Sequence, residues 1–545
     1  MSTLDWMVLI TSLLAIILYG VYKSSHTKNL DGYFLSNNSM PWYIVLLSIM
    51  GTQASAITFL SAPGQAYTDG MRFVQYYFGL PIAMIIICIF FVPVFKKLKV
   101  YTAYEFLQNR FDVKTRTLTA ALFLISRGLS TGISIYAPSI ILSSLLGWNI
   151  YYTNVVMGGL LIIYTMSGGA KAVAYTQQLQ LIIIIVGMFL AGYMVVNLLP
   201  ANMGFTDALK SAGTMGKMNI ITTGMGNNGF DWKDKYNIWS GIIGGLFLAL
   251  SYFGTDQSQV GRYLTAKNER ESKLGLLVNG LVKVPMQFLI LLVGVLVFSF
   301  YQYHKAPIYF DEVKVVAAKK TGYKDALQTI ENKFNVASAI HDYTAAQASR
   351  NEYKQVLKKA LPGDDANDTN FIFLRFVIDN LPKGLVGLLI AVIFLAAWGS
   401  IAAALNSLAS CTVVDFHKKF INTQCTDEKD YSIAKWYTFG WGVFSVIVAM
   451  FAHNIGNSLI EAVNILGSLF YGVILGIFLV AFWIKKVQGN AVFIAAIITE
   501  ALVIIIYALN VVSFLWLNVI GALLLLLLSV IIQTCLPQKK HPQLV

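Results

Sequence analysis

Charge is scarce in this chain of 545 residues: 12% are Asp, Glu, Lys or Arg, about half the share in a soluble domain. With 57% hydrophobic residues and a mean hydropathy of +0.64, that scarcity excludes an ordinary soluble module. Cysteine is nearly absent too. Cys88 and Cys411 fall inside apolar runs, Cys425 in a loop and Cys535 near the end, so no disulfide framework is suggested. The six histidines show no ligand spacing, and no nucleophile–base pair or metal motif marks an active site. An enzyme is not expected.

Long apolar runs fill the space that charge leaves. A spanning helix needs about 20 mostly apolar residues. About thirteen such runs are present, at 5–22, 42–62, 73–95, 117–142, 150–166, 174–198, 237–257, 275–301, 383–414, 434–452, 459–484, 490–509 and 513–534. They are continuous, unlike the short alternating segments of a membrane β-barrel. The chain reads as an all-α integral membrane protein of the plasma or bacterial inner membrane.

Loop charge orients it. No basic residue precedes the first run, and Lys23 and Lys28 follow it, which argues for an anchor over a cleaved leader. Lys96, Lys97, Lys99, Arg110, Lys114 and Arg116 mark one inner loop, and Arg262, Lys267, Arg270 and Lys273 another, whereas 143–149 and 453–458 hold no Lys or Arg. By the positive-inside rule the amino terminus lies outside and the carboxyl terminus, with Lys539 and Lys540, in the cytoplasm. The net charge of +13 therefore encodes orientation, and a nucleic-acid partner is not expected.

Two runs carry residues that lipid does not tolerate without a reason. Trp42–Ser61 is interrupted by Gly51-Thr52-Gln53-Ala54-Ser55, and Ile238–Gln257 ends in Tyr252-Phe253-Gly254-Thr255-Asp256-Gln257. They are the second and seventh runs, the spacing that an inverted repeat of five plus five helices gives when each half begins with a broken helix. Carbonyls freed at such breaks can hold a cation. The implied organisation is an accessory span and inner loop (1–41), a first repeat (42–199), an outer loop (200–236), the start of a second repeat (237–301), an outer insertion with short helices (302–382), the rest of that repeat (383–484), and accessory spans with a short inner tail (485–545).

Several segments together carry a resemblance. Ser167-Gly168-Gly169-Ala170-Lys171-Ala172-Val173, Thr255-Asp256-Gln257-Ser258-Gln259-Val260-Gly261-Arg262-Tyr263-Leu264 and Leu405-Asn406-Ser407-Leu408-Ala409-Ser410 resemble the sodium:solute symporters over nearly the whole chain outside 302–382. Tyr136-Ala137-Pro138 and Ala62-Pro63-Gly64-Gln65-Ala66-Tyr67 look most like the iodide, multivitamin and monocarboxylate branch. The resemblance implies a LeuT-type fold, with thirteen helices and the first outside the repeats, and sodium as the coupling ion. The sodium site it implies uses the carbonyls of Gly51, Ala54 and Ala396 and the hydroxyl of Ser400. Gly399 stands where the family usually has a first hydroxyl, and Gln177 where an Asp is common, which puts ion affinity and exit kinetics in question.

Substrate contacts follow in the same way. Tyr252 matches an aromatic that closes the inner side of the sugar site in relatives; Lys283 matches a substrate-contacting lysine; Glu461 and Asn464 match two pocket glutamines. Arg127 lies one turn from Thr131, where the sialic-acid branch has its carboxylate-binding arginine, and could equally brace inner helix ends or pair with Asp256. Ile57, Thr58 and Tyr77 replace the polar groups of the sugar branch, which disfavours a hexose; Thr58 and Tyr136 lean towards a monocarboxylate-like site. The expected function is sodium-coupled import of a small polar solute, an organic anion such as a monocarboxylate or sugar acid, by alternating access. At about 2.3 kcal/mol per charge and 100 mV, one sodium ion concentrates a neutral solute roughly 40-fold. Proton-coupled or uncoupled transport, or a sensor of the same fold, are the alternatives.

Overall fold

The computed structural model describes residues 1–24, 34–167, 170–226, 229–340, 342–421, 427–454 and 458–537. Lys28, Gly168, Gly169, Cys425, Lys539 and Lys540 lie outside the described residues. Within them the chain is almost entirely helical, apart from a small hairpin pairing Met225–Gly226 with Gly229–Phe230. Ten helices among the described residues are long and apolar enough to cross a membrane, and Trp42–Gln53, Ile150–Met166 and Ser240–Gly254 are shorter apolar helices. The count differs from thirteen because the expected runs 42–62, 150–166 and 237–257 hold these shorter helices.

Helix α1 (Thr3–Ser24) begins with Asp5, whose carboxylate accepts hydrogen bonds from Gly384 N (2.6 Å) and Gly387 N (3.3 Å). The second run is cut. Helix α2 (Trp42–Gln53) ends at Ala54 (φ −79°, ψ 67°), Ser55 is extended (ψ 169°), and α3 (Ala56–Asp69) continues beyond. Helix α4 (Val113–Leu146) is capped by Asp112, which accepts from Thr115 N at 2.7 Å. Helix α5 (Ala170–Asn197) packs against both α1 and α2. The seventh run is also cut: α6 (Gly245–Gly254) stops at Thr255, and Asp256 caps α7 (Gln257–Leu264) by accepting from Ser258 N at 2.8 Å.

Met40, just before α2, accepts from Lys267 N (3.0 Å) and donates to Thr265 O (3.1 Å), just after α7. The start of one broken helix thus meets the end of the other.

Helix α8 (Glu269–Tyr303) leads to residues 302–382, which fold as short helices over their own apolar core of Leu327, Ile330, Phe334, Tyr353 and Leu357. The last of these, α9 (Thr369–Asn380), lies on α3 so closely that a Cβ on Gly64 would stand 2.0 Å from Thr369 O. This end of the bundle is called the cap face below. Helix α10 (Leu385–Cys411) is buried without a gap from Leu389 to Cys411, as a helix apolar on every side must be. Helix α11 (Leu459–Trp483) packs against α4 and α6.

Candidate functional site

The two breaks open onto a common cavity of about 140 Å³. Thr52, Gln53 and Ser55 reach it from the first break, Tyr252 and Ser258 from the second, and Ser400 from α10. Side chains hold the broken ends. Thr58 Oγ1 donates to Gln53 O at 3.2 Å, replacing a lost backbone bond, and Gln53 Nε2 donates to Asn279 Oδ1 on α8 at 3.0 Å.

The expected sodium ligands lie on the facing elements α2 and α10, which are in contact. Among the described residues, none donates a hydrogen bond to the carbonyl oxygens of Gly51 and Ala54. Ser400 Oγ lies near two more carbonyls, donating to Ala396 O (2.9 Å) and Ala397 O (3.1 Å). Of the expected ligands Ser400 lines the cavity, and Gly51, Ala54, Ala396 and Gly399 do not; unbonded carbonyls and a hydroxyl are neutral oxygen donors of the kind a hard cation takes.

Gly51 and Gly399 owe their identity to α5. A Cβ on Gly51 would meet Gln177 Cβ at 2.9 Å, and one on Gly399 would meet Gln180 Oε1 at 2.4 Å. Gln177 ties the elements together: Ser48 Oγ donates to its Oε1 (2.8 Å), and its Nε2 donates to Thr52 Oγ1 (3.1 Å) and Gly399 O (3.0 Å).

Two cations line the cavity, and their surroundings differ. Arg127 forms an ion pair with Asp256, donates to Tyr471 OH at 3.1 Å and lies over the Tyr252 ring at 5.3 Å. Tyr471 OH completes the triangle by donating to Asp256 Oδ2 at 2.9 Å. Its charge is answered. Lys283 is 1% exposed, with Nζ 5.6 Å from the Tyr77 ring centroid. No carboxylate among the described residues pairs with it. A buried ammonium without a counter-charge is costly in a membrane interior, and here it faces a polar hollow.

Towards the cap face two lining residues bond to each other. Tyr76 OH donates to Asn464 Oδ1 at 3.0 Å. One turn further, Glu461 accepts from Tyr236 OH (2.8 Å), pairs with Lys235 (3.1 Å) and receives Gln65 Nε2 at 3.5 Å. Of the residues expected to meet substrate, Thr58, Tyr77, Arg127, Tyr252, Lys283 and Asn464 line the cavity. Glu461 belongs to the cap-side latch, and Tyr136 lies on α4 without lining the cavity. Tyr76 and Tyr471 also line it and were not anticipated. A phenol seven residues after Asn464 in an apolar run shares its helix face, and that was the available signal for Tyr471.

The sodium:solute symporter family model matches residues 33–333 and 349–499. The chain belongs to that family. It is 26% identical over 524 residues, 95% of this chain and 92% of the other, to the sodium/sialic acid symporter SiaT of Proteus mirabilis (strain HI4320). It is equally 26% identical over 490 residues, 88% of this chain and 66% of the other, to the sodium-dependent multivitamin transporter of Oryctolagus cuniculus. These identities single out no branch. Its fold is similar to that of a Na+-coupled sialic acid symporter solved in a substrate-bound outward-open state, with a TM-score of 0.79, 24% identity and 99% coverage of both chains. The chain is thus an integral membrane, sodium-coupled solute symporter of LeuT-like fold and not an enzyme; its partners are sodium, a small solute and the bilayer.

Proposed function

We propose that this symporter imports a small organic anion, a monocarboxylate or sugar acid, and that Lys283 takes its carboxylate. The observation that carries this reading is the contrast between two cavity cations: Arg127 is neutralised by Asp256, whereas no carboxylate among the described residues pairs with the buried Lys283. An entering anion supplies the missing charge. A neutral hexose would leave it exposed to the protein interior and would need many more hydrogen-bond partners than Ile57 and Leu80 allow.

In this reading thirteen spans form an accessory helix, two five-helix repeats within 42–199 and 237–484, and two closing spans, and the cap face with the amino terminus is external. Sodium at Gly51, Ala54, Ala396 and Ser400 ties α2 to α10 and favours the form open to the cap face. Substrate then settles between Lys283, Thr58, Tyr77 and Asn464. Closure joins Tyr76 to Asn464, and Glu461 to Lys235 and Tyr236. Release to the cytoplasm requires Tyr252 to move and the Arg127–Asp256–Tyr471 triangle to open.

A thermal-shift screen in sodium and in choline over monocarboxylates, sialic acids, vitamins, inositols and amino acids tests the reading. Stabilisation by carboxylates in sodium is expected. Stabilisation confined to inositols or other uncharged solutes would refute the anion assignment.

A further inference from the structure

Helix α12 (Gly489–Ala508) is long and apolar enough to cross a membrane, yet it carries one charged residue, Glu500. At about 1.5 Å per residue Glu500 lies roughly 16 Å from the helix start, near the middle of an apolar layer about 30 Å thick. Both of its carboxyl oxygens are enclosed, and neither has a hydrogen-bond partner among the described residues. The other buried carboxylates in the bundle differ: Asp256 pairs with Arg127, Asp415 with Arg116 and Glu461 with Lys235.

The packed neighbours leave no counter-charge for Glu500. Helix α12 lies against α4, α11 and α13 (Phe514–Cys535), and α13 holds no charged residue. Of the cations on α4, Arg116 and Arg127 are spent on Asp415 and Asp256, and Lys114 donates to Asn490 Oδ1 at 2.8 Å, at the first turn of α12. The titratable groups on α11 are Glu461, paired with Lys235, and Tyr471, which donates to Asp256. Tyr136 on α4, Tyr507 on α12 itself and Cys535 at the end of α13 complete the set, and none of them bonds to Glu500.

We propose that Glu500 is a proton-binding site inside the bilayer, a neutral carboxylic acid that lipophilic carbodiimides trap covalently. A charged side chain at the centre of a span costs about 2.5–3.5 kcal/mol, and with no cation in reach a proton is the ligand that removes the charge. Access comes from the lipid side. Ile497 and Ile504, three residues before Glu500 and four after it, are exposed, whereas Ala496 and Val503 are buried, so the acid stands at the edge of the lipid-facing stripe. Glu500 does not line the cavity, so this proton is separate from the sodium and substrate sites. In the trapping reaction the acid proton passes to one carbodiimide nitrogen while the carboxyl oxygen bonds the central carbon. The acyl group of that O-acylisourea then migrates to nitrogen and leaves a stable N-acylurea. All atoms are retained, and an ionised carboxylate in lipid lacks the proton that the first step consumes.

The test uses the full chain in proteoliposomes at neutral pH, treated with dicyclohexylcarbodiimide and mapped by peptide mass. An N-acylurea on Glu500 is expected, absent from Glu500→Gln and absent when a water-soluble, cationic carbodiimide replaces the lipophilic one. Glu500→Gln keeps the shape of the neutral acid and is expected to hold the thermal midpoint of the parent. An infrared difference spectrum between parent and variant reads the proton without any reagent, and should show the carbonyl band of a protonated acid. A carboxylate band in its place overturns the proton site. An acid band without an adduct on Glu500, or equal labelling by the water-soluble reagent, overturns the reach from lipid.

Discussion

Gln177 Nε2 donates a 3.0 Å hydrogen bond to the carbonyl oxygen of Gly399, joining α5 to α10 beside the break in α2. The same amide holds Ser48 and Thr52, so one side chain braces the three elements around the cation site. Gln177→Leu strands the buried Ser48 hydroxyl and removes a donor from Thr52 Oγ1 and the Gly399 carbonyl, at a cost of about 1–3 kcal/mol. The expected outcome is a lower thermal midpoint in choline together with a higher sodium requirement. Unaltered values for both would show that the brace carries no weight.

Asp256 receives Arg127, Tyr471 and Ser258 together, and in the proposed cycle this cluster holds the side opposite the cap closed. Asp256→Asn leaves the Arg127 guanidinium without its counter-charge, and breaking one side of a buried pair costs about 3–5 kcal/mol. The population should shift towards a form open on that face. A cysteine introduced at Ser258 then reacts faster with a membrane-impermeant maleimide added from the cytoplasmic side. Equal reaction rates in the presence and absence of the Asp256 change would contradict the gate.

Charge balance gives a third expectation. One sodium carried with a monoanion moves no net charge, so the membrane potential, worth about 2.3 kcal/mol per charge and 100 mV, does not drive the step. Uptake into proteoliposomes should show a sodium Hill coefficient near one and ignore a valinomycin-imposed potential. A steep response to the potential would mean that more than one sodium accompanies the anion.

The cap has its own pH response. Burial, with Asp368 nearby, pushes Asp311 up to about 6 against the partial opposition of Lys314. A carboxyl raised in the folded state contributes stability below its unfolded value, near 3.9, and loses that contribution as pH rises to about 6. Asp368 is also buried, but Arg350 and Lys354 outweigh the burial and hold it below its ordinary value, so its window lies at lower pH. Asp311→Asn keeps an oxygen to accept from Lys314 N and removes the titration. Hydrogen exchange in Glu312–Lys319 should speed up between pH 4 and 6 in the parent, beyond the intrinsic chemical change, and not in the variant; identical profiles would contradict the assignment.

Much of this was legible in the residues, and the reasons are physical. Gly51 to Ser55 and Thr255 to Gln257 announced the breaks because lipid tolerates such sequences only beside a cavity. Lys283 and Arg127 stood out as charges inside apolar runs, and the pairing of Arg127 with Asp256 was one of three readings left open, beside substrate contact and a brace for inner helix ends. Glu461 was matched to a pocket residue, yet it does not line the cavity, because its carboxylate is taken up by Tyr236, Lys235 and Gln65 one turn beyond Asn464. The setting of Gln180 could not be read at all. It arises from the approach of α5 to Gly399, a tertiary contact with no local pattern.

The most direct measurement compares carboxylates with their uncharged amide counterparts in sodium, on the parent chain and on Lys283→Met, by ligand-dependent thermal shift. The account predicts that carboxylates stabilise the parent, that amides do not, and that Lys283→Met weakens the carboxylates about 10- to 100-fold, the range of a lost charge-assisted bond of about 1.5–3 kcal/mol, while sodium still binds. Equal stabilisation by acid and amide, or full carboxylate affinity without the lysine, would contradict it.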